Sequence, residues 1–227
     1  KGVVESNLFL ALVGIMVCSL VLGMGVPSVV CYLLMATLMG SLLNELGVIP
    51  LAAHLFIFYF GMMSMVTPPV ALAGYASASI AEAPIMKTCL AAFRFSLVGF
   101  TLPFMFIYRP ALLLMAPDGG NPTLFAVVHA VLAATTGIIA LAAGLTGHLF
   151  GKVGLVGRGF LFLAAILLFA PIISGGLLSW FLDVDDWDWQ GVVWEVAVDV
   201  TGAVTLAVVV FLNWWQFGRS KTAAKPI

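Results

Sequence analysis

Charged residues are so sparse in this chain that their spacing decides what it can fold into. Ser6 to Leu43 carries no formal charge, and neither does Leu46 to Ala81 if His54 is neutral. A helix needs about 20 mostly apolar residues to cross the hydrocarbon core of a bilayer. The composition, 63% hydrophobic and 8% charged, is far from the roughly 25% charged residues of soluble domains. We therefore predict an all-α polytopic membrane protein whose solvent is the lipid bilayer.

The same composition argues against other classes. A net charge of −1 does not favour a nucleic-acid partner. Cys18, Cys31 and Cys89 lie in apolar stretches, which predicts small buried side chains and not disulfides. No Cys or His pair has the spacing of metal ligands, so we expect no metal site of that kind. We also predict that the chain has no cofactor and is not an enzyme. The chain opens without Met or a signal-peptide pattern, and we expect it to be the C-terminal part of a longer polypeptide.

The first apolar stretch is interrupted by a Gly/Pro-rich segment, Gly23 to Ser28. The flanking runs, Leu8 to Leu22 and Val29 to Leu43, have 15 residues each. A helix of that length rises roughly 22 Å, less than a hydrocarbon core of roughly 30 Å. The tip is small and apolar, which favours a re-entrant hairpin that ends inside the membrane. The alternative is a pair of short tilted spans joined by a surface loop.

The second stretch, Leu51 to Ala81, is long for one span and is broken by Thr67, Pro68 and Pro69. Each proline removes a backbone donor. The carbonyl groups released at membrane depth need partners from protein, water or an ion. The pattern predicts a broken helix, and the alternative is a Pro-kinked packing helix.

The remaining stretches are typical of ordinary spans, and basic residues alternate with acidic ones between them. The positive-inside rule assigns residues 81–94, 151–158 and the C-terminal tail to the cytoplasm. The start of the hairpin, residues 1–7, would then lie outside, so that its tip points inward. Four further spans are predicted: Phe95 to Leu114, Leu124 to Leu149, Phe160 to Phe181 and Val192 to Trp215.

The two interruptions supply the candidate site. Interrupted helices give secondary transporters their ion and substrate sites, through helix termini and unwound carbonyls. The set is rich in neutral oxygen and has no carboxylate, which suits Na⁺ better than a proton relay. Carbonyls of Gly23 and Gly25 and the Thr67 hydroxyl are the candidate Na⁺ ligands. The candidate binding residues are Gly23, Met24, Gly25, Pro27, Ser28, Ser64, Thr67, Pro68 and Pro69. The alternative is that these residues serve helix packing alone.

Histidines raise a rival hypothesis, a haem-binding or other redox membrane subunit. Two haem ligands must lie at equal depth on facing helices. His129 and His148 are predicted near opposite ends of one helix, and His54 near the outer surface. Hydrogen-bonded or interfacial histidines are the better interpretation, and the broken helices also argue against a non-transporting scaffold.

Three consecutive motifs carry a resemblance to a known family. They are LGMGVP, LGVIPLAAHLFIFYF and TPPVALAGYA. At this spacing, the segment Ser19 to Leu114 resembles the large membrane subunit of TRAP (tripartite ATP-independent periplasmic) transporters, and most of all the fused TAXI branch. Leu124 to Trp215 resembles the extra C-terminal helices of the fused type less distinctively. Val26 and Ser28 depart mildly from the residues common in relatives.

The resemblance implies an elevator-type fold of two inverted repeats, each with a hairpin and a broken helix. It also implies uptake driven by a Na⁺ gradient, with an organic acid delivered by a periplasmic solute-binding protein. The chain matches the second repeat, so the N-terminal half and the small-subunit helices are expected upstream.

We accordingly divide the chain into residues 1–50, a hairpin region open to the periplasm, and residues 51–115, the broken helix and the span after it. Residues 116–227 form additional helices and a cytoplasmic tail. The predicted function is Na⁺-coupled uptake of a carboxylate across a bacterial or archaeal inner membrane. The alternatives are an elevator-type carboxylate transporter without a binding protein and a non-transporting membrane subunit.

Overall fold

The computed structural model describes residues 8–116, 120–169 and 192–223. Within these residues the fold is entirely helical, apart from one isolated bridge between His148 and Lys152. The described residues fall into two compact units, an N-terminal unit up to Ala130 and a C-terminal unit from Val131 onward. The nine α-helices of the described residues are α1 Leu8–Leu22, α2 Ser28–Glu45, α3 Pro50–Met63, α4 Leu72–Ile80, α5 Ile85–Ser96, α6 Leu102–Tyr108, α7 Leu124–Thr146, α8 Leu155–Leu168 and α9 Val192–Ala223.

Helices α1 and α2 form the two arms of the predicted hairpin. The first arm has the predicted bounds, whereas α2 has 18 residues and not 15. At roughly 27 Å, α2 is long enough to be a candidate membrane span, so the estimate for the second arm was too short. The helix ends where Gly47 takes a φ of 74° and Val48 N–H donates to Leu43 O over 3.0 Å. A glycine in this left-handed conformation is a common helix terminator.

The second stretch is broken in the predicted place. Helix α3 ends at Met63, the short 3₁₀ turn Ser64–Val66 follows, and α4 begins only at Leu72. The non-helical segment is thus 67–71. Its last residue, Ala71, is fully buried and has a φ of 38°, a left-handed conformation that costs an alanine free energy.

The third stretch corrects the sequence interpretation. Lys87 and Arg94 were assigned to a cytoplasmic loop, but they lie on helix α5. With the 3₁₀ turn Leu97–Thr101 and α6, this helix forms an almost continuous helical segment, Ile85–Tyr108, that is a candidate span. The prediction of a loop was wrong because long basic side chains can lie along an apolar helix with their charges turned toward water. A charge therefore does not mark the end of a helix.

Phenylalanine rings fill the core of the N-terminal unit. Phe60 is fully buried, and its ring centroid lies 4.8 Å from that of Phe56, 5.6 Å from Phe100 and 5.9 Å from Phe104. All three pairs are edge-to-face, the arrangement that aromatic quadrupoles favour. These contacts fasten α3 to α6 and to the turn before it.

Small residues let the helices of the C-terminal unit approach closely. A Cβ at Gly202 of α9 would lie 2.8 Å from Leu168 Cγ and 3.2 Å from Ala164 O of α8. Arg158 Nε donates to Gly144 O over 2.9 Å and so satisfies a carbonyl at the end of α7. Helix α8 begins at Leu155, before the predicted Phe160. The rest of that predicted span, from residue 170, lies outside the described residues.

Four helical segments of the described residues are long and apolar enough to cross a membrane: Ser28–Glu45, Ile85–Tyr108, Leu124–Thr146 and Val196–Trp215. The protein is therefore an all-α membrane protein with several apolar helices, as predicted.

Candidate functional site

The two interruptions of the N-terminal unit meet in the structure. Gly23, the residue after α1, is buried and lies against Ser64, the residue after α3. A Cβ at Gly23 would lie 2.7 Å from Ser64 Cβ and 2.9 Å from Ser19 O. Such distances leave no room for any side chain, so glycine is required for the close approach of the two breaks. The sequence predicted both breaks but not their contact.

The tip between α1 and α2 is a tight turn. Gly23 N–H donates to Ser19 O over 2.9 Å, and Met24 N–H donates to Val21 O over 3.3 Å. Gly25 has a φ of 84°, which glycine adopts without steric cost. Pro27 precedes α2, and its carbonyl accepts the N–H groups of the helix's third and fourth residues. The turn is therefore ordered by its own backbone.

The hydroxyl groups of Ser64 and Thr67 both donate hydrogen bonds to nearby backbone carbonyl oxygens. Ser64 Oγ donates to Gly61 O over 2.6 Å, and Thr67 Oγ1 donates to Met63 O over 2.7 Å. Ser64 is 1% exposed and Thr67 8%. A hydroxyl that has given its proton to a carbonyl keeps two acceptor lone pairs. Each can thus offer oxygen to a cation without breaking its existing bond.

The backbone around the break has unusual hydrogen bonding because Pro68 and Pro69 have no N–H. The donor that a regular helix would bring to Ser64 O is missing, and this carbonyl instead accepts Thr67 N–H over 3.2 Å. Met65 O likewise lacks its helical donor, which would be the nitrogen of Pro69. Thr67 O accepts Ala71 N–H over 3.1 Å. The break is therefore a local source of carbonyl oxygen.

Three residues beside the breaks were missed by sequence reasoning. Ser19 is fully buried, and its carbonyl accepts both Gly23 N–H and the Cys31 thiol, the latter over 3.5 Å. A Cβ at Gly61 would lie 3.4 Å from Cys31 Sγ and 4.0 Å from Ser28 O. The position of Ser19, one helical turn before Gly23, could have indicated its place. The prediction that the cysteines are buried holds for Cys31 and Cys89, whereas Cys18 is exposed.

The nine predicted binding residues therefore differ in their surroundings. Gly23 and Ser64 come together, and Thr67 is joined to Ser64 by its N–H, which donates to Ser64 O. Ser28 lies near Gly61 as the first residue of α2. A Cβ at Gly25 would meet no atom within 4 Å, so Gly25 stands apart from them. Half-buried or exposed positions around the breaks are occupied by Met24, Pro27, Pro68 and Pro69.

The histidines have ordinary surroundings. His54 is exposed, and its Nδ1 lies 3.2 Å from the Tyr32 hydroxyl. The ring of His129 stacks on Phe125 at 5.9 Å, within the first turns of α7. His148 follows the end of α7 and is exposed. Among the described residues, no group of three or more His, Cys, Asp or Glu side chains could hold a metal ion.

Helix interruptions that meet within an apolar helical unit are a feature of secondary transporters. A family model described as "Tripartite ATP-independent periplasmic transporter, DctM component" matches residues 1–117, more than half of the chain. The chain belongs to this family, the large membrane component of TRAP-type secondary transporters. It is thus a transport protein, and members of its family work with a binding protein and a small subunit.

The matched residues end before the C-terminal unit begins. No curated protein and no solved structure matched the chain.

Proposed function

We propose that this chain is the permease part of a TRAP system of the fused TAXI type, and that it takes up an organic acid with Na⁺. The substrate is a carboxylate delivered by a periplasmic solute-binding protein. The membrane is the inner membrane of a bacterium or archaeon, and the C-terminus is cytoplasmic. The first repeat and the small-subunit helices complete the transporter.

The contact between Gly23 and Ser64 is the observation that carries the proposal. It brings two hydroxyl oxygens and the carbonyls of a proline break to the end of the hairpin, in stretches without a formal charge. Na⁺ is a small hard cation, and oxygen ligands from carbonyls and hydroxyls suit it. A proton relay would need a buried Asp, Glu or His; neither stretch contains Asp or Glu, and their one histidine, His54, is exposed. The donor set therefore favours Na⁺ as the coupling ion.

Two helix N-termini beside the breaks support an anionic substrate. Helix α2 begins at Ser28 and α4 begins at Leu72, and neither has a side-chain cap. Uncapped N–H groups at a helix N-terminus carry partial positive charge and attract anions. A carboxylate and a Na⁺ ion would thus find complementary groups within one small region.

The packing also supports a re-entrant hairpin. Helices α2 and α3 are joined by a short connection and pack against each other. The tip of the hairpin lies at the end of α3, whose 14 residues rise roughly 21 Å. The chain continues beyond the break through α4, so the hairpin ends where the broken helix is interrupted. We infer that the hairpin and the broken helix move together as one block against a scaffold.

Uptake of radiolabelled organic acids into proteoliposomes tests the proposal, with a transporter that contains this chain. We expect uptake only with an inward Na⁺ gradient and with the cognate binding protein present. Uptake that needs Na⁺ but ignores the binding protein would favour a binding-protein-independent elevator transporter. Uptake that ignores both, or no uptake of any organic acid, would contradict the proposal.

A further inference from the structure

The loop between α7 and α8 has a defined structure and belongs to the C-terminal unit, whereas the proposed transport site is built from residues of the N-terminal unit. Its ends are tied by the bridge between His148 and Lys152 and by Val153 N–H, which donates to Gly147 O over 2.9 Å. Gly147 itself has a φ of 70°, which allows the chain to leave α7 and turn back. The loop is therefore a compact turn and not an open connection.

Asn213 of α9 fixes this loop to the last helix. Its side-chain oxygen accepts Phe150 N–H over 3.2 Å and Gly151 N–H over 3.1 Å, and its nitrogen lies 3.5 Å from Lys152 O. Asn213 is 6% exposed. The loop and the C-terminal part of α9 therefore lie at the same end of the C-terminal unit.

Positive charge accumulates at this end without any acidic residue to balance it. No Asp or Glu occurs in residues 119–182, and none occurs after Asp199. Lys152 is exposed at the loop, and Arg158 lies in the first turns of α8. Arg219 and Lys221 follow Asn213 on the last turns of α9. Such clusters beside membrane helices attract the anionic phosphates of lipid headgroups.

Large apolar side chains surround the same charges. Leu155 is 86% exposed, Val156 76%, Trp214 58% and Phe150 54%. Water is a poor solvent for a surface with this much apolar area. Aromatic rings and lysines, by contrast, are typical of the depth at which headgroups meet acyl chains. An aqueous anion would satisfy the charges but would leave the apolar side chains in water.

We propose that this end of the C-terminal unit is a binding surface for an anionic phospholipid. The headgroup phosphate lies beside Lys152, and the acyl chains lie along Phe150, Leu155 and Val156. Asn213 is a positioning residue, since it holds the loop that presents Lys152. The lipid anchors the helices that follow the transport repeat and does not enter the transport site.

Native mass spectrometry of the purified chain tests this proposal. The chain is titrated separately with phosphatidylglycerol, phosphatidylcholine and glycerol phosphate. We expect phosphatidylglycerol to bind more tightly than phosphatidylcholine, and we expect glycerol phosphate to bind weakly. The Lys152→Gln variant should lose about fivefold in affinity for phosphatidylglycerol, and Lys152→Arg should retain it. High salt should reduce the difference in affinity between phosphatidylglycerol and phosphatidylcholine.

Lys87 gives a matched control, because it is an exposed lysine on a helix of the other unit. Lys87→Gln should bind phosphatidylglycerol like the wild type. Equal binding of the two phospholipids, or equal losses in the two lysine variants, would overturn the proposal. Tight binding of glycerol phosphate would also overturn it, since the surface would then hold a soluble anion. Asn213→Ala should weaken phosphatidylglycerol binding as Lys152→Gln does, and wild-type binding by a folded variant would contradict the positioning role.

Discussion

The two units are similarly apolar, but the helices of the N-terminal unit are interrupted, whereas those of the C-terminal unit are continuous. In the N-terminal unit, helices stop at Gly23 and at Ser64, and the ends are brought together. In the C-terminal unit, which contains α7 from Val131 onward, α8 and α9, the helices run without interruption through their described residues. Regular helices satisfy their backbone internally, as lipid demands. An interrupted helix does not, and the free energy it loses can be recovered by binding an ion or substrate.

Polar side chains follow the same division. Ser64 and Thr67 lie at the interruption and keep acceptor lone pairs. Arg158, by contrast, donates to the Gly144 carbonyl at the end of α7, and Asn213 accepts the Phe150 N–H of the α7–α8 loop. The first arrangement is suited to a ligand and the second to a fixed fold. Substitutions in the two units should accordingly affect different properties.

The largest effect on stability is expected in the phenylalanine core of the N-terminal unit. Phe60→Ala removes a fully buried ring and its contacts with Phe56, Phe100 and Phe104. The cavity should lower the free energy of unfolding by about 3–5 kcal/mol, measured by denaturation in mixed micelles. Phe95 is 69% exposed, so Phe95→Ala should change the free energy of unfolding by less than about 1 kcal/mol. Equal losses would mean that the rings do not form the core of this unit.

That core could not be predicted from the sequence, although the helices that carry it largely could. The bounds of α1 and the break at residues 67–69 followed from apolar run length and from Gly and Pro, which act locally. The contacts of Phe60 with Phe100 and Phe104 depend on how α3 meets α6, which no local pattern encodes. Charge was a poor guide to helix ends, as Lys87 shows by lying on α5.

The sequence predicted which residues belong to the candidate site but not that the two helix interruptions lie in contact. Gly23, Ser64 and Thr67 were chosen because they flank interruptions, and the structure shows that the interruptions touch. Ser19 was missed because only its position, one helical turn before Gly23, distinguishes it from any other serine in an apolar helix. Its role depends on Cys31, 12 residues away in sequence, and on the fold of the hairpin.

The next effect concerns the contact between the breaks. Gly23→Ala places a Cβ against Ser64 and Ser19, and overpacking of this kind costs about 1–3 kcal/mol. We expect Na⁺-driven uptake to fall roughly tenfold. Gly14→Ala is the control on the same helix, because a Cβ there meets no atom within 4 Å. It should leave uptake unchanged and stabilise α1 by about 0.5–1 kcal/mol.

Gly202→Ala sharpens the comparison between the units. Its Cβ would be 2.8 Å from Leu168 Cγ, a clash similar to that at Gly23 but between uninterrupted helices. We expect a lower unfolding temperature with an unchanged Na⁺ dependence of uptake. If Gly202→Ala changed the Na⁺ dependence of uptake and Gly23→Ala did not, the ion site would lie in the C-terminal unit, and our assignment to the N-terminal unit would be wrong.

A smaller effect is expected at the loop of the C-terminal unit. Asn213→Ala leaves the N–H groups of Phe150 and Gly151 without their acceptor, which should cost about 1–2 kcal/mol of unfolding free energy. Thr205→Ala on the same helix removes a hydroxyl that bonds only within its helix, and it should cost less than about 0.5 kcal/mol. The amides of the loop should exchange hydrogen faster in Asn213→Ala than in Thr205→Ala. Equal exchange rates in the two variants would show that Asn213 does not hold the loop.

The substitution with the smallest expected effect on stability is that of a single threonine, and it compares the two units by the Na⁺ dependence of uptake. Thr67 and Thr136 both donate a hydroxyl proton to the carbonyl four residues earlier, over 2.7 Å and 2.6 Å. Only Thr67 lies at a helix interruption. Thr67→Ala removes one neutral oxygen from the proposed Na⁺ site and should raise the Na⁺ concentration for half-maximal uptake roughly fivefold. Thr136→Ala removes the same hydrogen bond from a continuous helix and should leave Na⁺ activation unchanged. If the two variants respond alike, the hydroxyl of Thr67 serves only the backbone, and the ion must be held by the other oxygens of the site, the Ser64 hydroxyl and the carbonyl groups.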